Sequence, residues 1–240
     1  MMNFLLSKGK AWDSPDRAGK TVQSIEVIVF LFLIVPSMVL SFFIMRPGEL
    51  NFPLEALATI VRDLALTSLI FYFIWRNGEG LKSLGWDFTN GKREIVWAIV
   101  LFVPLFFTAG LLEQALRQAG FSSPTTPLPA FLSVKGPGKI IIAFVLVCVA
   151  AVAEETIFRG YLLLRFQEGL QLRPLVAAVL SAVVFSLGHG YEGTAGVVTV
   201  GFIGLAFALI YQWRGSLVAP MIMHFLQDFA EIFLPLLGIK

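Results

Sequence analysis

Charge is scarce in this 240-residue chain: Asp, Glu, Lys and Arg make up 14% of it, against about 25% in a typical soluble domain. That scarcity argues against an ordinary water-solvated surface. The net charge is only +2 and the basic residues are dispersed, so no nucleic-acid partner is expected. Cysteine occurs once, as Cys148 within an apolar run. An internal disulfide is therefore excluded, and the thiol reads as a small buried hydrophobe. Histidine is limited to His189 and His224. There is no internal repeat and no low-complexity tract. The opening "MMNFLLSKGKAWDSPDRAGK" lacks an apolar stretch of signal-peptide length, so the first spanning helix is expected to act as its own insertion signal.

Apolar sequence is what abounds. Hydrophobic residues make up 57% of the chain and the mean hydropathy is +0.82. Several runs approach the ~18 residues that mark a spanning helix. The fold expected is an all-α, polytopic transmembrane bundle of about seven spans, with an eighth or re-entrant segment left open. The segments are Ile25–Met45, Leu54–Trp75, Ile95–Leu116, one starting near Lys139, Pro174–His189, Thr194–Trp213 and Ser216–Leu237. The second is interrupted by Arg62 and Asp63, which either face the bundle or mark a later helix start. Residues 1–120 supply the N-terminal helices, 121–138 a Pro-rich connection and 139–240 the C-terminal helices, together one structural domain. With the N-terminus inside and seven alternating spans, about eleven basic residues fall on the inner side and five on the outer. The positive-inside rule then places the N-terminus in the cytoplasm. The setting expected is the cell membrane of a prokaryote.

The fourth segment reaches "AEETIFRG", Ala153–Gly160, where three charges follow a long apolar run. The sequence beyond, "GYLLLRF", is again apolar. A helix from Lys139 to Phe166 has 28 residues and spans about 42 Å at 1.5 Å per residue. It outruns a hydrocarbon core of ~30 Å, which leaves Glu154 and Glu155 at membrane depth. Counted from the same face, His189 lies about 24 Å along segment five, and His224 and Asp228 about 14 and 20 Å along segment seven. The four-residue spacings pair Glu155 with Arg159 and His224 with Asp228. Glu154 points about 100° away from Glu155, free to face a cavity. Ionisable groups inside a membrane are costly and usually mark function. A polar lock between helices accounts for Glu155–Arg159 but needs neither a surplus carboxylate nor two imidazoles.

"EETIFR" fits E-E-x-x-x-R, "FSLGH" fits F-x-x-x-H and "HFLQD" fits H-x-x-x-[ND]. In this order, on separate helices, the motifs resemble the CPBP family of intramembrane endopeptidases. That family includes the type II CAAX prenyl proteases and the Abi group linked to bacteriocin processing and self-immunity. The resemblance spans about residues 140–237; the first 120 residues carry no matching motif. It implies a peptide-bond hydrolase acting within the bilayer on a membrane-associated or lipidated substrate, of which a prenylated CAAX protein is one example. It further implies that Glu154 activates water, His189 helps hold that water, His224 and Asp228 stabilise the oxyanion, and Glu155 and Arg159 form a supporting pair. Asp228 departs from members with asparagine there. Ionised aspartate cannot donate to an oxyanion, so Asp228 either orients His224 or is protonated.

No cofactor is favoured. The alternative is zinc on Glu154, His189 and His224, an acceptable ligand set with one position left for water. The stronger zinc signal, H-E-x-x-H, is absent. Two other function classes compete: a non-catalytic membrane scaffold or immunity protein, and a proton-coupled transporter. The transporter reading lacks the broken, repeated helices that would support it. Oligomeric state is left open.

Overall fold

The computed structural model describes residues 17–44, 52–123 and 136–235. Readings on residues 1–16, the ends of segments one and seven, and most of the Pro-rich connection lie outside these. The described residues form seven principal helices. They are α1 (Arg17–Ile44), α2 (Phe52–Arg76), α3 (Gly91–Gln118), α4 (Pro137–Glu154), α5 (Pro174–Leu187), α6 (Gly193–Arg214) and α7 (Val218–Phe233). Five helical stretches are long and apolar enough to cross a membrane: 19–36, 52–76, 91–118, 137–169 and 190–214. The molecule is a helical membrane bundle, in which two of the seven expected spans are short. α5 has 14 residues and α7 has 16, or roughly 21 and 24 Å at helical rise.

Outward faces are apolar, as lipid contact requires. Along α3, Val96, Val100, Val103, Phe107 and Leu111 are all at least half exposed. Inward, α4 buries Ala143, Val147, Ala150, Ala151 and Ala153. These small side chains let α2 and α7 approach α4 closely. α5 packs on α6, and α3 on α6 and α7.

As the sequence indicated, the helix does not stop at the charges: one helical stretch continues from α4 to Gly169. Its winding changes, however: Glu155–Leu162 and Arg165–Gly169 are π-helical. Every residue of the first π segment is buried. Widened turns of this kind are rare and cluster at functional sites. The C-terminal end of this helix is tied down by Arg165, whose guanidinium grips Glu79 through two bonds of 2.9 and 2.8 Å. Gln23 of α1 donates to the same carboxylate at 3.0 Å.

The α2–α3 connection also anchors the site. Leu84 is fully buried. Trp86 Nε1 donates to Thr156 Oγ1 at 3.1 Å, beside Glu155. The Gly85 carbonyl accepts from Leu217 N at 2.9 Å, and the Asp87 carbonyl from Ser216 Oγ at 2.9 Å. The π-helix and the start of α7 are thereby held by one loop. Gly85 has φ 83°, and a Cβ there would lie 2.4 Å from the Tyr211 ring. Gly85→Ala is expected to cost about 1–2 kcal/mol from the left-handed backbone alone. A thermal unfolding curve in detergent should show a clear loss; an unchanged midpoint would contradict this role.

Candidate active site

Glu155, at 0% exposure, is the centre of the polar cluster. Its Oε1 accepts from Arg159 Nη1 at 2.8 Å and meets His224 Nδ1 at 2.8 Å. The first contact is the expected four-residue pair. The second joins residues 69 apart, which helix spacing could not reveal. With Arg159 donating to it, Oε1 is an acceptor, so the His224 Nδ1 carries the hydrogen. The other imidazole nitrogen, Nε2, is thus aimed at two further carboxylates. Glu154 Oε2 lies 3.7 Å from it and Asp228 Oδ2 3.6 Å. The His224–Asp228 pairing read from the sequence is present as an ion-pair contact.

Burial separates these groups. Glu155 and Arg159 are closed off, whereas the side chains of Glu154 and Asp228 are 17% and 28% exposed. The surplus carboxylate is therefore less enclosed than Glu155. Arg159 sits in an aromatic box, its guanidinium carbon 4.2 Å from the Phe185 ring centre and 5.4 Å from that of Phe207. Such contacts recover part of the cost of burying the cation. Its Nη2 also donates to the Gly204 carbonyl at 3.3 Å. A Cβ on Gly204 would lie 3.1 Å from that nitrogen and 3.0 Å from Phe185, so glycine permits the approach. Ser181 Oγ donates to the Phe158 carbonyl at 2.7 Å, fixing the π-helix against α5.

His189 is placed differently from the expectation. α5 ends at Leu187 and Gly188 is its C-cap, so His189 lies in the following turn and not within the helix. Its Nδ1 contacts the Phe185 carbonyl at 3.2 Å. It remains within electrostatic range of Glu154, His224 and Arg159. Asp63, undecided from sequence, is inside: α2 begins at Phe52 and the Asp63 side chain is 2% exposed. It too interacts electrostatically with Glu154 and His224. Its signal in the sequence was a lone acidic residue in an apolar run.

Residues 136–230 match the family described as Type II CAAX prenyl endopeptidase Rce1-like. Over this stretch, less than half of the chain, the sequence is similar to that family. The CPBP resemblance carried by the three motifs is borne out by that match. The Rce1-like stretch includes Glu154, Glu155, Arg159, His189, His224 and Asp228 and leaves out α1–α3. No curated protein and no solved structure matches the chain. Among the described residues no three His, Cys, Asp or Glu side chains are grouped to hold an ion. His224 contacts Glu155 through Nδ1, which leaves Nε2 as its other ring nitrogen toward Glu154.

Proposed function

We propose that the protein is an intramembrane endopeptidase in which Glu154 activates water to hydrolyse a peptide bond of a membrane-associated substrate. The observation that carries this reading is the convergence of Glu154 and Asp228 on Nε2 of His224, within a core of a peptidase family. Glu154 takes a proton from water as the oxygen attacks the scissile carbonyl. His224 in its imidazolium form donates from Nδ1 to Glu155 and from Nε2 to the developing oxyanion. Glu155 and Arg159 hold that ring in place, and Asp228, 3.6 Å from Nε2, favours the imidazolium charge. His189 faces the water from the α5–α6 turn. Collapse of the intermediate breaks the C–N bond, and Glu154 returns the proton to the leaving amine.

The substrate class favoured is a lipidated peptide of the prenylated CAAX type. It would reach the site from the cell membrane of a prokaryote, with the N-terminus of the enzyme in the cytoplasm. The chemistry proposed is metal-independent. The detergent-purified protein, incubated with a farnesylated CAAX peptide, is expected to release the C-terminal tripeptide at the same rate with and without phenanthroline. Loss of that activity, restored by added zinc, would move the chemistry to a metal on Glu154, His189 and His224.

A further inference from the structure

Asp63 lies on α2, outside the stretch that resembles the peptidase family. Burial of an ionisable group at mid-membrane is costly and calls for a reason. Asp63 is the twelfth residue of the 25-residue α2, so it sits at mid-helix. α2 packs directly on α4, and Asp63 points inward with its side chain 2% exposed. The neighbouring Arg62 points outward, 60% exposed, and reaches back to Oδ1 alone: Nε at 3.0 Å and Nη2 at 2.9 Å. Oδ2 is buried and has no hydrogen-bond partner among the described residues. Thr67 Oγ1, one turn along the same buried face, is likewise unpartnered among them. An unsatisfied buried acceptor is costly, and the other buried carboxylate oxygen without a partner among the described residues is Oε2 of Glu155, in the site itself. The Asp63 carboxylate keeps one oxygen free within electrostatic range of Glu154 and His224.

We propose that Asp63 is a fourth carboxylate of the hydrolytic site, and that its Oδ2 holds the reacting water opposite Glu154. This inference rests on the peptidase reading above. Water has two hydrogens to direct. One passes to Glu154 as the O–C bond forms and goes on to the leaving nitrogen when the C–N bond breaks. The other stays on the oxygen, accepted by Asp63, and remains on the hydroxyl of the tetrahedral intermediate. With both hydrogens held, an oxygen lone pair is turned toward the scissile carbonyl. The N-terminal helices then supply chemistry as well as scaffold.

The test is steady-state hydrolysis of a farnesylated CAAX peptide by Asp63→Asn, Asp63→Glu and Arg62→Gln, each in detergent beside wild type, with a thermal unfolding curve for each. Misplacing a reacting group by about an ångström costs on the order of a hundredfold. Asp63→Asn is therefore expected to lower kcat by roughly tenfold to a hundredfold with KM within about twofold. Asp63→Glu should recover part of that loss, and Arg62→Gln, which removes the ion-pair partner but leaves Oδ2 in place, should lower the unfolding midpoint while retaining more kcat than Asp63→Asn. Wild-type kcat in a folded Asp63→Asn would overturn the role of Asp63 and leave the peptidase reading intact. Equal losses in Asp63→Asn and Arg62→Gln, tracking the unfolding midpoint, would reduce Asp63 to a structural pair. A wild-type protein that cleaves no lipidated peptide would remove both readings together.

Discussion

Glu154→Gln is expected to lower peptide turnover by about a thousandfold while the protein stays folded. Glutamine matches glutamate in shape and can still hydrogen-bond a water, but it cannot take the proton. The fold should tolerate the change because Glu154 does not anchor the cluster. His224 is held by Glu155 at 2.8 Å, whereas Glu154 lies 3.7 Å from its other nitrogen and is partly exposed. The checks are kcat on a lipidated peptide and the unfolding midpoint in detergent. Turnover should collapse and the midpoint should hold within a few degrees. A retained kcat would remove Glu154 from the chemistry.

The largest effect on stability is expected at Arg159. Its guanidinium donates to Glu155 and to the Gly204 carbonyl, and stacks beside Phe185 and Phe207. Arg159→Met fills similar volume but leaves the fully buried Glu155 facing only His224. Removing one partner of a buried pair costs about 3–5 kcal/mol, because the remaining charge has lost its compensation. Lysine should not rescue it, since a compact ammonium cannot reproduce the forked donors and the ring contacts. The double change Glu155→Gln with Arg159→Met should recover part of the stability, as it removes the orphaned charge. Denaturant titration in detergent gives each value. A loss below about 1 kcal/mol in the single variant would show that the pair is not sustaining the site.

Local regularities made part of this site readable. The continuation of α4 past Glu154 followed from the apolar sequence beyond Arg159, and the Glu155–Arg159 and His224–Asp228 contacts follow from four-residue spacing. The π-helical turns were not readable. "ETIFRGYL" has no residue that dictates the wider winding, which is held by contacts from elsewhere: Ser181 on Phe158 and Trp86 on Thr156. The Glu155–His224 contact was invisible for the same reason, since it depends on how α7 packs on α4. Segment five ends early because Gly188 caps it, which moves His189 into a turn that helical counting could not place. Asp63 needed the packing of α2 on α4 before its direction could be known.

These particulars share a cause. Composition and period decide which residues are helical and apolar, whereas the chemistry depends on which helix meets which. His224 illustrates the difference: its partner along the chain is Asp228, but its anchor is Glu155 across the bundle. The N-terminal half carries no recognised motif, yet its Trp86 fixes the π segment that begins at Glu155, and its Glu79 and Gln23 hold the one that begins at Arg165.

The most direct measurement is mass spectrometry of a farnesylated CAAX peptide after incubation with the purified protein, wild type beside Glu154→Gln. The account predicts a single new C-terminus at the farnesylated cysteine for wild type and an intact peptide for the variant. Intact peptide from both, or the same product from both, would contradict it.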